Sequence, residues 1–286
     1  MGYIGTAPAD AALTATDIAD GIIAKNHIAE DRGGIGGLTC SNNGTDGDHD
    51  IDIAVGYATD YGNAVVMELT SSITKQIDAT WAVGTNAGGL DTGAVAASTG
   101  YGVYLIRRSD TGVVDALFST DMSAAGSSVT MPTNYDQKRL IGWVRTDSSS
   151  NILAFTQSGD YFRLTGTLPT ELTDATITDD TYETLTLTSP PLCLAHVGVD
   201  LTNSSETATF MRLYLKTKGA SDVANSQQHC WIAYATGGTD HDWLSNDGFV
   251  LSDSASQVEY ATNETTDGAT IKIGAIGCNM LTRSNP

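Results

Sequence analysis

Tyr101-Gly-Val-Tyr-Leu-Ile-Arg-Arg108 is followed by Ser109-Asp-Thr-Gly112 and then by Val113-Val-Asp-Ala-Leu-Phe118. The outer segments are rich in aromatic and branched aliphatic residues, which suit a pleated, half-buried surface. Gly112 supplies the positive φ that a tight reversal needs, so the three segments read as a β-hairpin. A polar loop ending in Met131-Pro-Thr-Asn-Tyr-Asp136 leads to a third strand, Lys138-Arg-Leu-Ile-Gly-Trp-Val-Arg145. Asp147-Ser-Ser-Ser-Asn151 turns, Ile152-Leu-Ala-Phe-Thr-Gln157 returns, and Ser158-Gly-Asp160 turns again into Tyr161-Phe-Arg-Leu164. The whole of Ile77 to Leu164 therefore reads as an antiparallel meander, and it sets an all-β expectation for the chain.

The same signals extend in both directions. Beyond the meander, the polar run Thr165 to Thr181 reads as the long connection of a Greek key or jelly roll. Strand patterns resume at Leu192–Val199, Thr209–Lys216, Gln228–Ala235, Gly248–Leu251, Gln257–Tyr260 and Thr270–Gly277. On the other side, Asn63–Ile73 and Ile51–Gly56 are strand candidates and Trp81 carries a large aromatic toward the core. The Gly84 to Gly93 segment is expected to be too glycine-rich for regular structure. Gly33-Gly-Ile-Gly-Gly37 reads as a hinge and puts a boundary near residue 38. The expected organisation is an arm over 1–38, an antiparallel β-sandwich module over 39–165, and a β-rich region over 166–286 that either completes that sandwich or forms a second one.

Composition narrows the function classes. At 286 residues the chain can bury a substantial core. Its formal net charge of -20, from 14 Lys plus Arg against 34 Asp plus Glu, opposes binding through nucleic-acid phosphates. No apolar run is long enough to cross a bilayer, and the start lacks a signal-peptide pattern, so no membrane insertion is expected. Cys40, Cys193, Cys230 and Cys278 are widely spaced without a C-x-x-C pair and read as free thiols packed like small apolar residues.

Residues 1 to 38 carry Tyr3, Ile4, Ile18, Ile22, Ile23 and Ile28 on a polar background. These side chains are too sparse to form a core, so the segment is either disordered or held against a neighbour, and its apolar residues favour being held. Gly2-Tyr-Ile-Gly5, Ala7-Pro8, Asp17-Ile-Ala-Asp-Gly-Ile-Ile23 and Ile28-Ala-Glu-Asp31 resemble the N-terminal attachment segment of tailed-bacteriophage tail fibre proteins. Ser72 to Gly93, Arg108 to Asp115 and Met131 to Asp136 are similar to a module that recurs in phage virion proteins. The resemblance covers residues 1 to about 165. It implies a structural virion protein, a tail fibre or receptor-binding protein attached through those six arm residues, assembled in the host bacterial cytoplasm. It also implies a homotrimer, with other virion proteins of the tail or head and a host-surface glycan as partners. A head fibre or capsid decoration protein is the alternative. A polysaccharide-degrading enzyme is a third reading, for which the chain carries no motif.

Two acidic clusters invite chemistry. Asp46-Gly-Asp-His-Asp-Ile-Asp52 has acids at alternate positions, as a Ca²⁺ loop does, but the EF-hand spacing fails and a solvated acidic loop is the expectation, with no metal assigned. Asp240, His241, Asp242 and Trp243, with Asp247 nearby, mix an aromatic with hydrogen-bonding groups as glycan sites do, although Trp243 plugging the sandwich would explain the same residues. His196 lies in an apolar strand pattern and reads as a satisfied core histidine. No catalytic residue and no cofactor is expected, because no nucleophile, zinc or phosphate-binding motif occurs.

Overall fold

The computed structural model describes residues 34–174, 181–203, 211–221, 234–235, 242–262 and 269–281, and their regular elements are strands. The chain passes through β1 (Ile35–Gly37), β2 (Cys40–Asn42), β3 (Asp50–Ile53), β4 (Gly56–Thr59), β5 (Val66–Leu69), β6 (Ile73–Thr80) and β7 (Ala87–Leu90). Next come β8 (Gly100–Arg108), β9 (Val114–Ser119), β10 (Tyr135–Arg145), β11 (Phe155–Ser158), β12 (Tyr161–Leu164), β13 (Thr170–Asp174) and β14 (Glu183–Thr186). The remaining strands are β15 (Leu194–Asn203), β16 (Met211–Thr217), β17 (Tyr234–Ala235), β18 (Asp242–Leu251), β19 (Gln257–Thr262) and β20 (Ala269–Asn279).

These strands form four sheets, ordered β1-β4-β5, β10-β8-β9-β7-β6-β3-β2, β11-β12-β20-β15-β18 with β13 also on β20, and β14-β19-β16-β17. The hairpin of β8 and β9 forms as its turn chemistry dictates. Val103 lies opposite Phe118, and Gly112 sits at φ +74° with its N–H donating to the Arg108 carbonyl at 2.9 Å. β10 then runs antiparallel to the other side of β8, placing Trp143 opposite Gly102.

Past Arg145 the chain departs from a simple meander. Ile152 makes only an isolated bridge to Thr146, and the β11–β12 hairpin leaves the seven-stranded sheet for the six-stranded one. The Thr165–Thr181 segment is not a plain connection either, because β13 within it pairs antiparallel with β20, Leu172 opposite Ile273. Gly33–Gly37 likewise is not a bare hinge. β1 pairs with β4, and a Cβ on Gly36 would lie 2.5 Å from the Tyr57 ring, so glycine is there to let the ring pack on the backbone.

The largest departure is β7, formed by residues expected to be irregular. It runs parallel to both β6 and β9, a pairing that no hairpin signal announces. Its glycines serve close approach rather than flexibility: a Cβ on Gly88 would stand 2.1 Å from the Thr80 carbonyl oxygen, and one on Gly89 2.8 Å from the Phe118 ring. Lys75 of β6 locks the arrangement. Its fully buried ammonium donates to the carbonyls of Ala82 at 2.6 Å and Gly84 at 3.2 Å, and lies 3.3 Å from Asp115 of β9. Asp115 in turn accepts the N–H of Gly84 at 2.8 Å and of Ala116 at 2.7 Å. Burial pulls the Lys75 pKa below its ordinary value, while Asp115 pushes it back up. Trp81 covers the pair, half-buried, its indole N–H on the Ala116 carbonyl and its ring edge-on to Tyr135 at 5.1 Å.

One apolar cluster runs from Leu38 through Trp143 and Phe162 to Met280, so the elements on both sides of residue 165 share it. Trp143 is 1% exposed and donates its indole N–H to the Thr188 carbonyl at 3.1 Å. Two residues on, Arg145 forms a 2.7 Å ion pair with Glu171 of β13, both side chains 3% exposed, and Glu171 also accepts the Thr188 hydroxyl at 2.6 Å. Burial lowers the Arg145 pKa and the Glu171 carboxylate opposes that shift. On β16, Leu213 and Leu215 are buried, and so are Tyr214 and Lys216, the Lys216 ammonium lying 3.1 Å from Glu259 and 3.8 Å from the centroid of the Tyr182 ring.

Removing one partner of a desolvated pair strands the other. Glu171→Ala should lower stability in urea by about 3–5 kcal/mol, whereas Arg145→Met combined with Glu171→Leu should recover most of that loss. Gly88→Ala should cost about 1–3 kcal/mol by forcing β7 away from β6, read as a lowered midpoint with an unchanged denaturant slope.

Candidate functional site

The outer surface of the six-stranded sheet carries a trough of about 390 Å³, within the range of about 300–1,000 Å³ that small-molecule sites occupy. Its floor follows from sheet register. Gly198 of β15 lies directly opposite Gly274 of β20, so two neighbouring outward positions lack side chains and bare peptide is exposed between taller neighbours. A Cβ on Gly198 would meet the Ile276 side chain at 3.2 Å, and one on Gly274 the Pro169 carbonyl at 3.2 Å. The segment Leu168-Pro169-Thr170 forms one wall and Ile276 contributes apolar surface. The rim is charged, with Asp200 opposite Lys272 across β15 and β20, and Asp247 of β18 opposite Gly198.

Asp247 does not stand alone. One of its carboxylate oxygens lies 2.8 Å from His196 Nε2, and His196 Nδ1 lies 2.6 Å from the Tyr161 hydroxyl. His196 bridges the Asp247 carboxylate, which accepts from Nε2–H, and the Tyr161 hydroxyl at Nδ1. His196 is 5% exposed, sandwiched by Phe249, whose ring stacks on it at 4.3 Å with an 18° tilt. Burial raises the Tyr161 pKa. Phe249 and Leu251 remain 48% and 40% exposed, so the trough is flanked by an apolar platform. His196 is thus satisfied on both nitrogens, and it fixes Asp247 at the trough's edge.

Of the glycan candidates read from sequence, Asp240 and His241 lie outside the described residues. Asp242 and Trp243 open β18, in register with Asn203 and Thr202, and the same strand continues to Asp247. The arm residues Tyr3, Ile4, Ile18, Ile22, Ile23 and Ile28 also lie outside the described residues. Asp200, Lys272, Gly198, Gly274, Leu168 and Phe249 escaped the sequence reading. A signal existed in the alternation His196-Val-Gly-Val-Asp200 and Lys272-Ile-Gly274, but which strands pair cannot be read from either segment alone.

The acidic loop Asp46–Asp52 is tied internally. Asn43 caps it by accepting the N–H groups of Thr45 and Asp46, His49 Nδ1 lies 3.1 Å from Asp46, and Asp52 accepts from Asn43 and from Thr74. Among the described residues no three His, Cys, Asp or Glu side chains converge to hold an ion. Cys40, Cys193 and Cys278 are buried free thiols. Asp50 is 9% exposed, and burial, followed by Asp46 and Asp78, raises its pKa while a Gln76 hydrogen bond opposes.

A carboxyl whose folded pKa is raised binds more protons when folded, so its ionisation destabilises the fold as pH rises through that window. Asp50→Asn should therefore raise the melting temperature at pH 7, and the difference should close as the pH falls below about 4, the unfolded value for Asp.

No family model and no curated protein matches the chain.

Proposed function

We propose that the chain is a structural protein of a tailed-phage virion, a tail fibre or receptor-binding component. In this reading residues 1–38 attach it to other virion proteins through Tyr3, Ile4, Ile18, Ile22, Ile23 and Ile28. It works as a homotrimer whose sandwich-like, jelly-roll-like body turns toward the host surface, and it is built into particles in the host cytoplasm. The observation that carries the reading is the run of motifs from Gly2 to Asp31, apolar residues too few to bury one another, followed directly by a body with a core of its own. Such a segment gains stability only against another protein. The body supports the reading in a second way: the networks around Lys75, Arg145 and His196 tie strand to strand, as a load-resisting scaffold requires. No catalytic residue or cofactor is assigned.

Deleting residues 1–33, a cut that removes all six attachment residues and spares β1 and the buried Leu38, should abolish incorporation into phage particles and leave the melting temperature of the body close to that of the full chain. Antibody label against the body should decorate the tail, and light scattering of the full chain should return three times the chain mass. Label on the capsid would instead mark a head fibre or decoration protein. Incorporation that survives the deletion would overturn the attachment role.

A further inference from the structure

We infer that the glycine-floored trough between β15, β18 and β20 binds a neutral saccharide. The inference rests on the host-facing role proposed above and gives that role a location and a ligand class. A pyranose ring has an apolar C–H face and a rim of hydroxyls that both donate and accept, and the trough is built in the same two parts. Leu168, Pro169 and Ile276 offer apolar wall, and the Gly198/Gly274 pair lets a ring settle onto peptide rather than onto side chains. Asp200 and Asp247 accept from hydroxyls and Lys272 donates to them, which covers both roles of a sugar hydroxyl.

Charge decides which sugars. Two carboxylates and one ammonium line the trough, and the chain as a whole carries -20, so a uronic acid, a sialic acid or a phosphate meets net repulsion. A neutral hexose or N-acetylhexosamine meets none. Asp247 is also the best-positioned of the three rim groups. Its carboxylate is held by a histidine that Tyr161 and Phe249 hold in turn, so little rotamer freedom is lost when a ligand arrives. The exposed Phe249 ring beside it offers a stacking surface for a second residue of the same glycan chain.

The test uses the full chain against immobilised neutral hexose and N-acetylhexosamine oligosaccharides, with uronic-acid and sialylated oligosaccharides as the acidic arm, and titration calorimetry on whatever binds. The expected result is binding of a neutral oligosaccharide that weakens about tenfold or more in Gly198→Leu, which fills the floor, and in Lys272→Ala, which removes the donor. Gly198→Ala provides a milder filling should the leucine variant fail to fold. Absence of binding to every neutral oligosaccharide, preference for the acidic arm, or unchanged affinity in the folded Gly198 variants would overturn the inference. Loss of saccharide binding in Gly198→Leu with normal incorporation into particles would separate this site from the attachment role, which the arm deletion tests on its own.

Discussion

The buried pair of Arg145 and Glu171 is the constraint on which the two halves of the body depend. Arg145 ends the longest strand of the seven-stranded sheet, and Glu171 lies on β13, which belongs to the six-stranded one. Neither charge has water to fall back on, so each is tolerable only while the other is in place. Glu171 also takes the Thr188 hydroxyl, and Thr188 gives its carbonyl to Trp143, so the ion pair, a hydroxyl and the largest buried aromatic form one connected seam. The same two sheets are also joined at β2 and β11, where the Cys40 N–H donates to the Gln157 side chain and the Phe155 N–H to Asn42. The buried charge pair adds a further directional contact between them, at some expense of stability compared with an apolar substitute.

Glycine does its structural work in this fold through closeness more than through freedom of rotation. Gly88 brings β7 against the Thr80 backbone, Gly36 accepts the face of Tyr57, and Gly142 leaves room for the Cys40 sulfur and the Phe162 ring. The trough floor is the same device turned outward, with the absent side chains of Gly198 and Gly274 leaving a recess where the others leave room for packing. A composition rich in glycine thus supports a tightly interlocked set of sheets, where a reading by local propensity suggests loops.

Much of the fold was legible because it is local. The β8–β9 hairpin, the strand at Lys138–Arg145 and the strands β15, β16, β19 and β20 announce themselves by β-branched and aromatic residues between turn residues. What escaped is non-local. β7 is parallel to both neighbours, and Gly88 and Gly89 look like a breaker until Thr80 and Phe118 are known to lie against them. β13 is short and polar, Thr-Glu-Leu-Thr-Asp, and becomes a strand because β20 offers it a partner. For the candidate site, Asp247 stood out as an acid near an aromatic cluster, and His196 was legible as a satisfied histidine. Its partners Tyr161 and Phe249 sit 35 residues before and 53 after it in number, and only sheet register brings them together. Lys272 and Asp200 meet across the sheet for the same reason.

β20 pairs with β12, β13 and β15, the first of which precedes it by more than a hundred positions. A nascent chain that has reached Leu251 can already close the β8–β9 hairpin, yet its six-stranded sheet still lacks the central member. Until residues 269–279 leave the ribosome, the β11–β12 hairpin and the β15–β18 pair lack the strand that joins them into one sheet. Folding of that sheet is therefore a late, cooperative event. Any subunit assembly that relies on it must wait for synthesis to pass that point.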